Sequence, residues 1–226
     1  MKKRVIKSFV IIIAVVIIIL GINFFRNYMI LKELNNNRLK YVDNTNYHVI
    51  ETINRKNQNE VRDTYKKGDK TVTFLEINSQ ESGQVKISRY KTGDKVNTYN
   101  LTNKTASLDS KTYQSSEPLF SDDDSISFTE CLFSIINKAV IEDKECYRIQ
   151  TVFENDFVVI FEKECGLPIE SIIDDTIIKM KYEFGKVEDS IFIEPDLSEY
   201  VIEREWKTKK VWVNKILWKE VYVYDY

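Results

Sequence analysis

The chain has 226 residues, of which 43% are apolar, 30% charged and 12% aromatic, and it carries three cysteines and one histidine. This composition suits one globular unit and excludes collagen-like, low-complexity and disulfide-scaffold proteins. Metal and nucleophile sites usually need several His, Cys or carboxylate groups, so the composition favours binding or structure over catalysis. The formal net charge is −2, yet residues 27–226 carry −7 because five of the 33 bases precede them. An acidic body gives no electrostatic reason to expect a nucleic-acid partner.

The first 26 residues combine a basic tip with a long apolar run. Four bases lie between residues 2 and 7, and every residue from 9 to 22 is apolar or glycine. Residues 5–25 therefore reach the ~20 residues that cross a ~30 Å hydrocarbon core. No small-residue cleavage site and no cysteine directly follows the run, which favours an uncleaved signal anchor over the alternative, a cleaved signal peptide. The basic tip predicts a cytoplasmic amino terminus and an extracytoplasmic body on a single-pass anchor in the cell membrane.

Strand-like segments separated by turn residues dominate the body of the chain. The phrase Tyr-Lys-x-Gly-Asp-Lys occurs at 65–70 and again at 90–95, and its glycines suit the positive φ of hairpin turns. Two strands and two turns fit between the copies, which predicts a meander. After a short polar helix at 31–39, the predicted strands are 46–55, 59–67, 70–78, 84–91, 95–101 and 105–109. A polar loop through Pro118 and Asp122–Asp124 follows.

One amphipathic helix is expected after this loop. Ser127 and Glu130 have the spacing of a capping box, and the apolar residues that follow recur at intervals of three and four, which predicts a helix over 128–139. Further strands are predicted at 145–149, 157–161, 169–173, 177–184 and 191–193. Residues 157–161 are apolar without alternation, which indicates a central strand covered on both faces, with the helix on one of them.

The order of these elements resembles the LolA-like superfamily of outer-membrane lipoprotein carriers and its membrane-anchored clostridial relatives. The resemblance covers roughly residues 31–200 and is carried by Lys144–Ile149, by Phe161–Pro168 with its Gly-Leu-Pro hairpin, and by Pro195–Ser198. It implies an α+β fold, a strongly curved antiparallel half-barrel with a helix or helices on its concave face, which holds apolar ligands such as acyl chains. Relatives also act as lipid-binding lipoproteins and as sensors that restrain anti-sigma factors. The uncleaved anchor departs from the soluble carriers, which argues against a shuttle role.

The predicted organisation is a cytoplasmic tip and transmembrane anchor at 1–26, an extracytoplasmic LolA-like β domain at 27–202, and an aromatic, basic tail at 203–226. The leading hypothesis is a membrane-tethered, non-catalytic binding domain for an apolar ligand such as a lipid or acyl chain. Candidate lining residues, which recur at period two on apolar faces, are Phe157, Val159, Phe161, Ile178, Met180, Tyr182 and Phe184. The alternative is a sensor or scaffold that binds a partner protein at the cell envelope, in which these side chains are simply core.

Few residues are candidates for chemistry. His48 lies in a predicted strand without a second histidine, so a partly exposed strand residue is favoured over a catalytic one. Asp122–Asp124 lack the spaced ligands of a calcium loop, and Asp174–Asp175 are expected to form a hairpin turn. We therefore expect no metal, no cofactor and no enzymatic activity.

The three cysteines are predicted to differ in their surroundings. Cys146 and Cys165 fall on neighbouring strands if the chain turns near Glu154–Asn155, which leaves a disulfide between them open. Cys131 lies on the apolar face of the predicted helix and is expected to be buried as a small hydrophobic residue.

The tail contains all three tryptophans of the chain, and residues 203–226 carry a net charge of +2. Trp206, Trp212 and Trp218 recur every six residues, which places them on one strand face. The tail is predicted to complete the sheet with one or two strands and a turn at Asn214–Lys215. The sharper hypothesis is a surface that contacts lipid headgroups or cell-wall polymer, because Trp and Tyr favour such interfaces.

Overall fold

The computed structural model of the chain describes residues 2–42, 45–81, 83–108, 126–151, 157–203, 206–212 and 218–224. The predicted loop through Pro118 and Asp122–Asp124 lies outside the described residues, as do the predicted turns at Glu154–Asn155 and Asn214–Lys215. The predicted fold class is confirmed: the chain is α+β, with one apolar amino-terminal helix and a largely antiparallel sheet of twelve strands.

The described chain contains two α-helices, two 3-10 turns and fourteen strands. The helices are α1 (Lys2–Val42) and α2 (Phe128–Phe133), and the 3-10 turns span Asp189–Phe192 and Leu197–Glu199. The strands are β1 (Asn46–Arg55), β2 (Gln58–Lys67), β3 (Lys70–Ser79), β4 (Gly83–Thr92), β5 (Lys95–Asn100), β6 (Thr105–Ser107), β7 (Ser134–Ile141), β8 (Lys144–Thr151), β9 (Phe157–Glu162), β10 (Pro168–Ile173), β11 (Thr176–Phe184), β12 (Val201–Ile202), β13 (Trp206–Trp212) and β14 (Trp218–Tyr224).

The large sheet has the order β12-β6-β5-β4-β3-β2-β1-β11-β10-β9-β8-β7. The strands β2 to β6 and the strands β7 to β11 each pair antiparallel with their neighbours, whereas β12 runs parallel to β6. The chain divides into two compact units. We call residues 1–44, 53–56 and 118–181 the helix unit, because it contains α1 and α2, and residues 45–52, 57–117 and 182–226 the meander unit.

Most of the predicted strands are confirmed to within three residues at each end, and all six strands of the meander are present. The predicted helix at 31–39 is instead the end of α1, which is continuous from Lys2 to Val42. The predicted strand at 191–193 is wrong, because residues 189–192 form a 3-10 turn.

The predicted helix over 128–139 is only half correct. Its start is confirmed, since the backbone N–H of Ser127 donates to Glu130 Oε2 at 3.2 Å. The helix ends at Phe133, and the residues from Ser134 onward form β7, which pairs with β8 along its whole length. The apolar spacing in this segment also fits alternation, because Ser134 and Ile136 are buried while Ile135 between them is exposed. Pairing of all eight residues of β7 with β8 therefore stabilises this segment more than two further turns of α2 would.

Candidate functional site

Helix α1 joins an exposed apolar segment to a segment that is part of the helix unit. All side chains from Phe9 to Ile22 are exposed, as expected of a surface that lipid would cover. Among the described residues, the stretch Phe9–Tyr41 is long and apolar enough to span a membrane. Beyond Ile22 the same helix packs against the sheet, with Leu34 only 4% exposed.

Three polar side chains at the start of this second segment hold α1 to α2 and β7. Asn27 is 0% exposed, and its Nδ2 donates to the carbonyls of Cys131 at 2.9 Å and Ser134 at 2.7 Å. Asn23 Nδ2 donates to Leu132 O at 3.3 Å. Arg26 Nη2 likewise donates to a carbonyl of β7, at 2.5 Å. The carbonyls at the end of α2 are thus satisfied by side chains of α1, which sequence reasoning missed because the partners are far apart in the chain.

The Gly-Leu-Pro hairpin contacts the other end of α1. A Cβ on Gly166 would lie 2.0 Å from the carbonyl oxygen of Leu34 and 2.7 Å from the backbone nitrogen of Arg38, and its φ is +69°. Leu167 beside it is 0% exposed. Glycine at this position therefore permits both the left-handed turn and the backbone contact with the helix.

Five of the predicted lining residues lie in the helix unit and share one face of it. Val159 pairs with Ser171, and Ser171 pairs with Ile178, so these side chains form one row across β9, β10 and β11. Phe157, Phe161 and Met180 occupy the same face, because each lies an even number of residues from a member of this row. Met180 is buried, whereas the other four are half-buried.

This face is the one on which α1 lies. The row continues through Ile149 to Ile136, and Ile136 packs with Leu34 of α1. Phe161 contacts the same cluster, so the helix already covers part of the predicted lining. The opposite face of β9 carries Val158 and Ile160 in a second apolar cluster. The central strand predicted at 157–161 therefore has α1 on one face, in place of the predicted helix at 128–139, and the buried side chains of Val158 and Ile160 on the other.

Two cavities of the helix unit are lined by other residues. A pocket of about 250 Å³ lies at the β7–β8 edge and is lined by Lys138, Ala139, Val140, Glu145, Cys146, Tyr147 and Lys163. A charged groove of about 560 Å³ runs between α1 and the strand turns and is lined by Glu33, Asn37, Lys40, Asp143, Lys144, Glu145, Glu162, Lys163 and Glu164. Burial and the nearby Glu33 carboxylate raise the pKa of Tyr147, whose hydroxyl donates to Glu33 at 3.2 Å.

The two remaining lining candidates, Tyr182 and Phe184, belong to the meander unit, where their rings stack with centroids 6.5 Å apart. This unit also contains a feature that sequence reasoning missed, a row of rings on neighbouring strands with successive centroids 4.0 to 6.4 Å apart. The row consists of His48, Tyr65, Phe74, Tyr90, Tyr99 and Tyr200. The two copies of the Tyr-Lys-x-Gly-Asp-Lys phrase contribute Tyr65 and Tyr90, so the repeat was a signal of this row as well as of the turns.

His48 is the end of this row and contacts several titratable groups. Its Nε2 bonds Asp63, its Nδ1 lies 3.5 Å from Glu183, and its ring stacks on Tyr65 at 4.0 Å. Burial and the Asp63 carboxylate raise the pKa of Tyr65 to about 12. This is a hydrogen-bonded strand histidine whose side chain is 14% exposed, consistent with the predicted, partly exposed strand residue. No described residue near it supplies a serine or cysteine nucleophile in hydrogen-bond contact.

The described cysteines are free thiols. Cys146 opposes Glu162 across β8 and β9, and no bridge to Cys165 forms. Burial raises the pKa of the Cys165 thiol to about 11 and also raises that of Cys131, which is 1% exposed as predicted. The described part of the chain has no group of three or more His, Cys, Asp and Glu placed to hold a metal ion.

The remaining predicted positions concern turns and the tail. Asp174 has a φ of +51° and lies in the β10–β11 turn, as predicted. The tail forms strands β13 and β14, but these pair only with each other and do not complete the large sheet, so that part of the prediction is wrong. A closed hairpin satisfies its inner backbone groups without a further strand. Its register pairs Trp206 with Tyr224 and Trp212 with Trp218, which puts the three tryptophan positions on one face.

No protein-family model and no curated protein sequence matches the chain. Solved structures similar to it include MucB in complex with MucA(peri), at 6% identity and a TM-score of 0.37, with 82% of this chain and 65% of that chain covered. The MucA/MucB complex of Pseudomonas aeruginosa matches at 9% identity and 0.37, with coverages of 81% and 67%. A DUF1329 family protein from Desulfovibrio piger matches at 13% and 0.30, with coverages of 72% and 95%. The LolA-like assignment therefore stays a prediction from the sequence pattern.

Proposed function

We propose that the protein is a membrane-tethered, extracytoplasmic binding domain without catalytic activity. The observation that carries this proposal is the continuity of α1, whose exposed apolar segment leads without a break into a segment bonded to the helix unit. Such a helix holds the domain beside the bilayer, and the basic tip favours an inside amino terminus. Alkaline phosphatase folds to its active form outside the cytoplasm, so a phosphatase fused to the carboxyl terminus should be active in cells. An inactive phosphatase fusion, together with activity of a cytoplasmic reporter fused at the same position, would contradict the orientation.

The ligand that we propose is apolar, such as a lipid or an acyl chain. Phe157, Val159 and Ile178 lie on one face of the helix unit and remain half-buried next to the part covered by α1. When an apolar ligand covers partly exposed apolar side chains, the complex is stabilised by about 25 cal/mol for each Å² of apolar area removed from water. The surface is thus suited to a ligand that lies along the strands beside the helix.

Neighbouring isoleucines of β11 provide a matched test. Ile178 lies on the proposed binding face, whereas Ile177 is 39% exposed and points to the opposite face. The full-length protein, its Ile178→Asn variant and its Ile177→Asn variant would be purified in detergent, and co-purifying lipid would be measured by native mass spectrometry and solvent extraction. We expect lipid with the wild type and the Ile177→Asn variant and much less with Ile178→Asn. Absence of lipid from all three, or equal lipid in all three, would contradict the proposal.

A protein partner is the second candidate, because α1 already occupies part of the proposed binding face and the charged groove beside it displays five carboxylates and three lysines. Residues 27–226 carry −7, so a basic partner surface fits. Crosslinking in cells from Glu164, at the rim of the groove, distinguishes this role. A protein adduct together with a lipid-free domain would favour the scaffold.

A further inference from the structure

Phe128 is a large apolar side chain exposed next to the predicted membrane span. It is the first residue of α2 and is 66% exposed. Its ring centroid lies 5.0 Å from that of Phe24 on α1, with the ring planes tilted by 42°. Phe25, the next residue on α1, is 64% exposed. Phe25 and Phe128 are thus exposed beside the half-buried Phe24, and a contiguous exposed apolar surface is typical of an interaction or membrane site.

The position of Phe24 along α1 sets the depth of this cluster. A helix rises 1.5 Å per residue, so about 20 residues are needed to cross a hydrocarbon core of about 30 Å. The predicted span, residues 5–25, therefore ends where Phe24 and Phe25 lie. Phe128 contacts Phe24, so it lies at the same depth as the outer boundary of the bilayer.

Hydrogen bonds keep α2 at this depth. Asn23 donates to Leu132 O and Asn27 to Cys131 O and Ser134 O, so residues on either side of Phe24 bond the carboxyl-terminal end of α2. Phe128 therefore cannot leave the membrane boundary without breaking the contact of α2 with the anchor. Aromatic side chains are enriched at this depth because the interface accommodates their rings.

We propose that Phe128 is a second membrane contact, which inserts into the outer interfacial region of the bilayer that α1 spans. The lipid bilayer covers this exposed surface, because the surface is continuous with the predicted membrane span. The inference rests on the proposed tether and adds that the domain lies against the membrane through α2. The Phe128 side chain contacts the upper acyl chains and the glycerol region of the surrounding lipids.

Tryptophan reporters in full-length protein reconstituted into phosphatidylcholine vesicles test the proposal. The background carries Trp206→Phe, Trp212→Phe and Trp218→Phe, and single reporters are Phe128→Trp, Ile18→Trp within the span, and Val140→Trp as the control. Val140 is 71% exposed and pairs with Glu145, whose carboxylate binds Lys163. Lys163 O accepts a hydrogen bond from Asn37, and Asn37 lies about 20 Å along α1 from Phe24 at 1.5 Å per residue. Val140 is therefore held near the end of α1 that lies away from the predicted span.

Brominated phosphatidylcholine should remove most of the emission of Ile18→Trp and Phe128→Trp and leave Val140→Trp unchanged, whereas aqueous iodide should quench only Val140→Trp. Quenching of Ile18→Trp by brominated lipid without quenching of Phe128→Trp would overturn the second contact and leave the tether standing. Lack of lipid quenching at Ile18→Trp would overturn the tether and the inference with it. If the background fails to fold, a photoreactive phenylalanine analogue at position 128 in the wild-type chain replaces the reporter. Lipid adducts are then expected at 128 and not at 140, and their absence at 128 overturns the proposal.

Discussion

The helix unit and the meander unit build their cores in different ways. In the helix unit, α1 covers one face of the strands, and its side chains bond carbonyls that lie 104 to 126 residues away in the chain. In the meander unit, Val72, Tyr90, Tyr99 and Ala106 form the core across consecutive hairpin strands, and the segment 191–200 packs onto it. The first core therefore depends on a distant helix, whereas the second depends largely on neighbouring strands.

The largest effect is expected in the helix unit, at the contact between Gly166 and the backbone of α1. In Gly166→Ala the new Cβ would meet the α1 backbone at 2.0 Å, at a φ of +69°. Strained φ and overpacking together should lower the free energy of unfolding by about 3 kcal/mol or more. Chemical denaturation of the full-length protein in detergent measures the loss.

Gly93 in the meander unit is the matched control. Its φ is +57°, but a Cβ there would have nothing within 4 Å. Gly93→Ala should therefore cost only the conformational strain, about 1 kcal/mol. Equal losses at the two glycines would show that close contact with α1 does not matter.

The next effect concerns the buried amide of the anchor helix. Asn27→Ala removes two hydrogen bonds and leaves the carbonyls of Cys131 and Ser134 short of a donor, which should cost about 2 kcal/mol. Hydrogen exchange should rise in α2 and β7 and stay unchanged in β2–β5. Asn36→Ala on the exposed side of the same helix should change neither quantity. A uniform rise over both units would mean that they unfold as one.

A smaller effect is expected in the meander unit. Tyr99 is 1% exposed, and its hydroxyl donates to Glu194 Oε2 at 2.5 Å. Tyr99→Phe keeps the ring and loses this bond, so it should cost about 1 kcal/mol, since Glu194 itself faces solvent. Exchange should then rise in β5 and in the segment 189–200 and not in α1. Protection lost from α1 would contradict the locality of this core.

The smallest effect is a pH dependence. Burial and the Asp63 carboxylate raise the pKa of Tyr65 from 10.0 to about 12 in the folded protein. The stabilising contribution is therefore complete below pH 10.0 and is lost as the pH rises through about 12, because the unfolded chain ionises first. Tyr65→Phe should make the loss of stability above pH 10 shallower. An unchanged alkaline profile would show that the ionisation of Tyr65 is not coupled to folding.

Local patterns predicted the meander strands well, because alternation and turn glycines act within a few residues. They misassigned residues 134–139, whose apolar spacing fits a helix and a strand alike, and only pairing with β8 decides between them. They also placed the three tryptophan positions on one face correctly and wrongly expected the tail to join the large sheet.

The candidate site was predictable only in part. Alternation identified Val159 and Ile178 as members of one apolar face, and the register confirms that they share it. No pattern indicated that α1 lies on this face or that Asn27 bonds α2, because these partners are more than a hundred residues apart. Polar residues in a helix otherwise indicate a solvated surface.

The sequence by itself determined the apolar span, the acidic body and the antiparallel strands, since each follows from composition or short-range periodicity. Only the tertiary structure decided that the apolar amino-terminal helix continues into the domain, that Gly166 lies against its backbone, and that Phe128 lies beside Phe24. The physical reason is that side-chain packing and hydrogen bonding join residues by distance in space, and distant segments of a chain carry no common pattern that reveals this proximity.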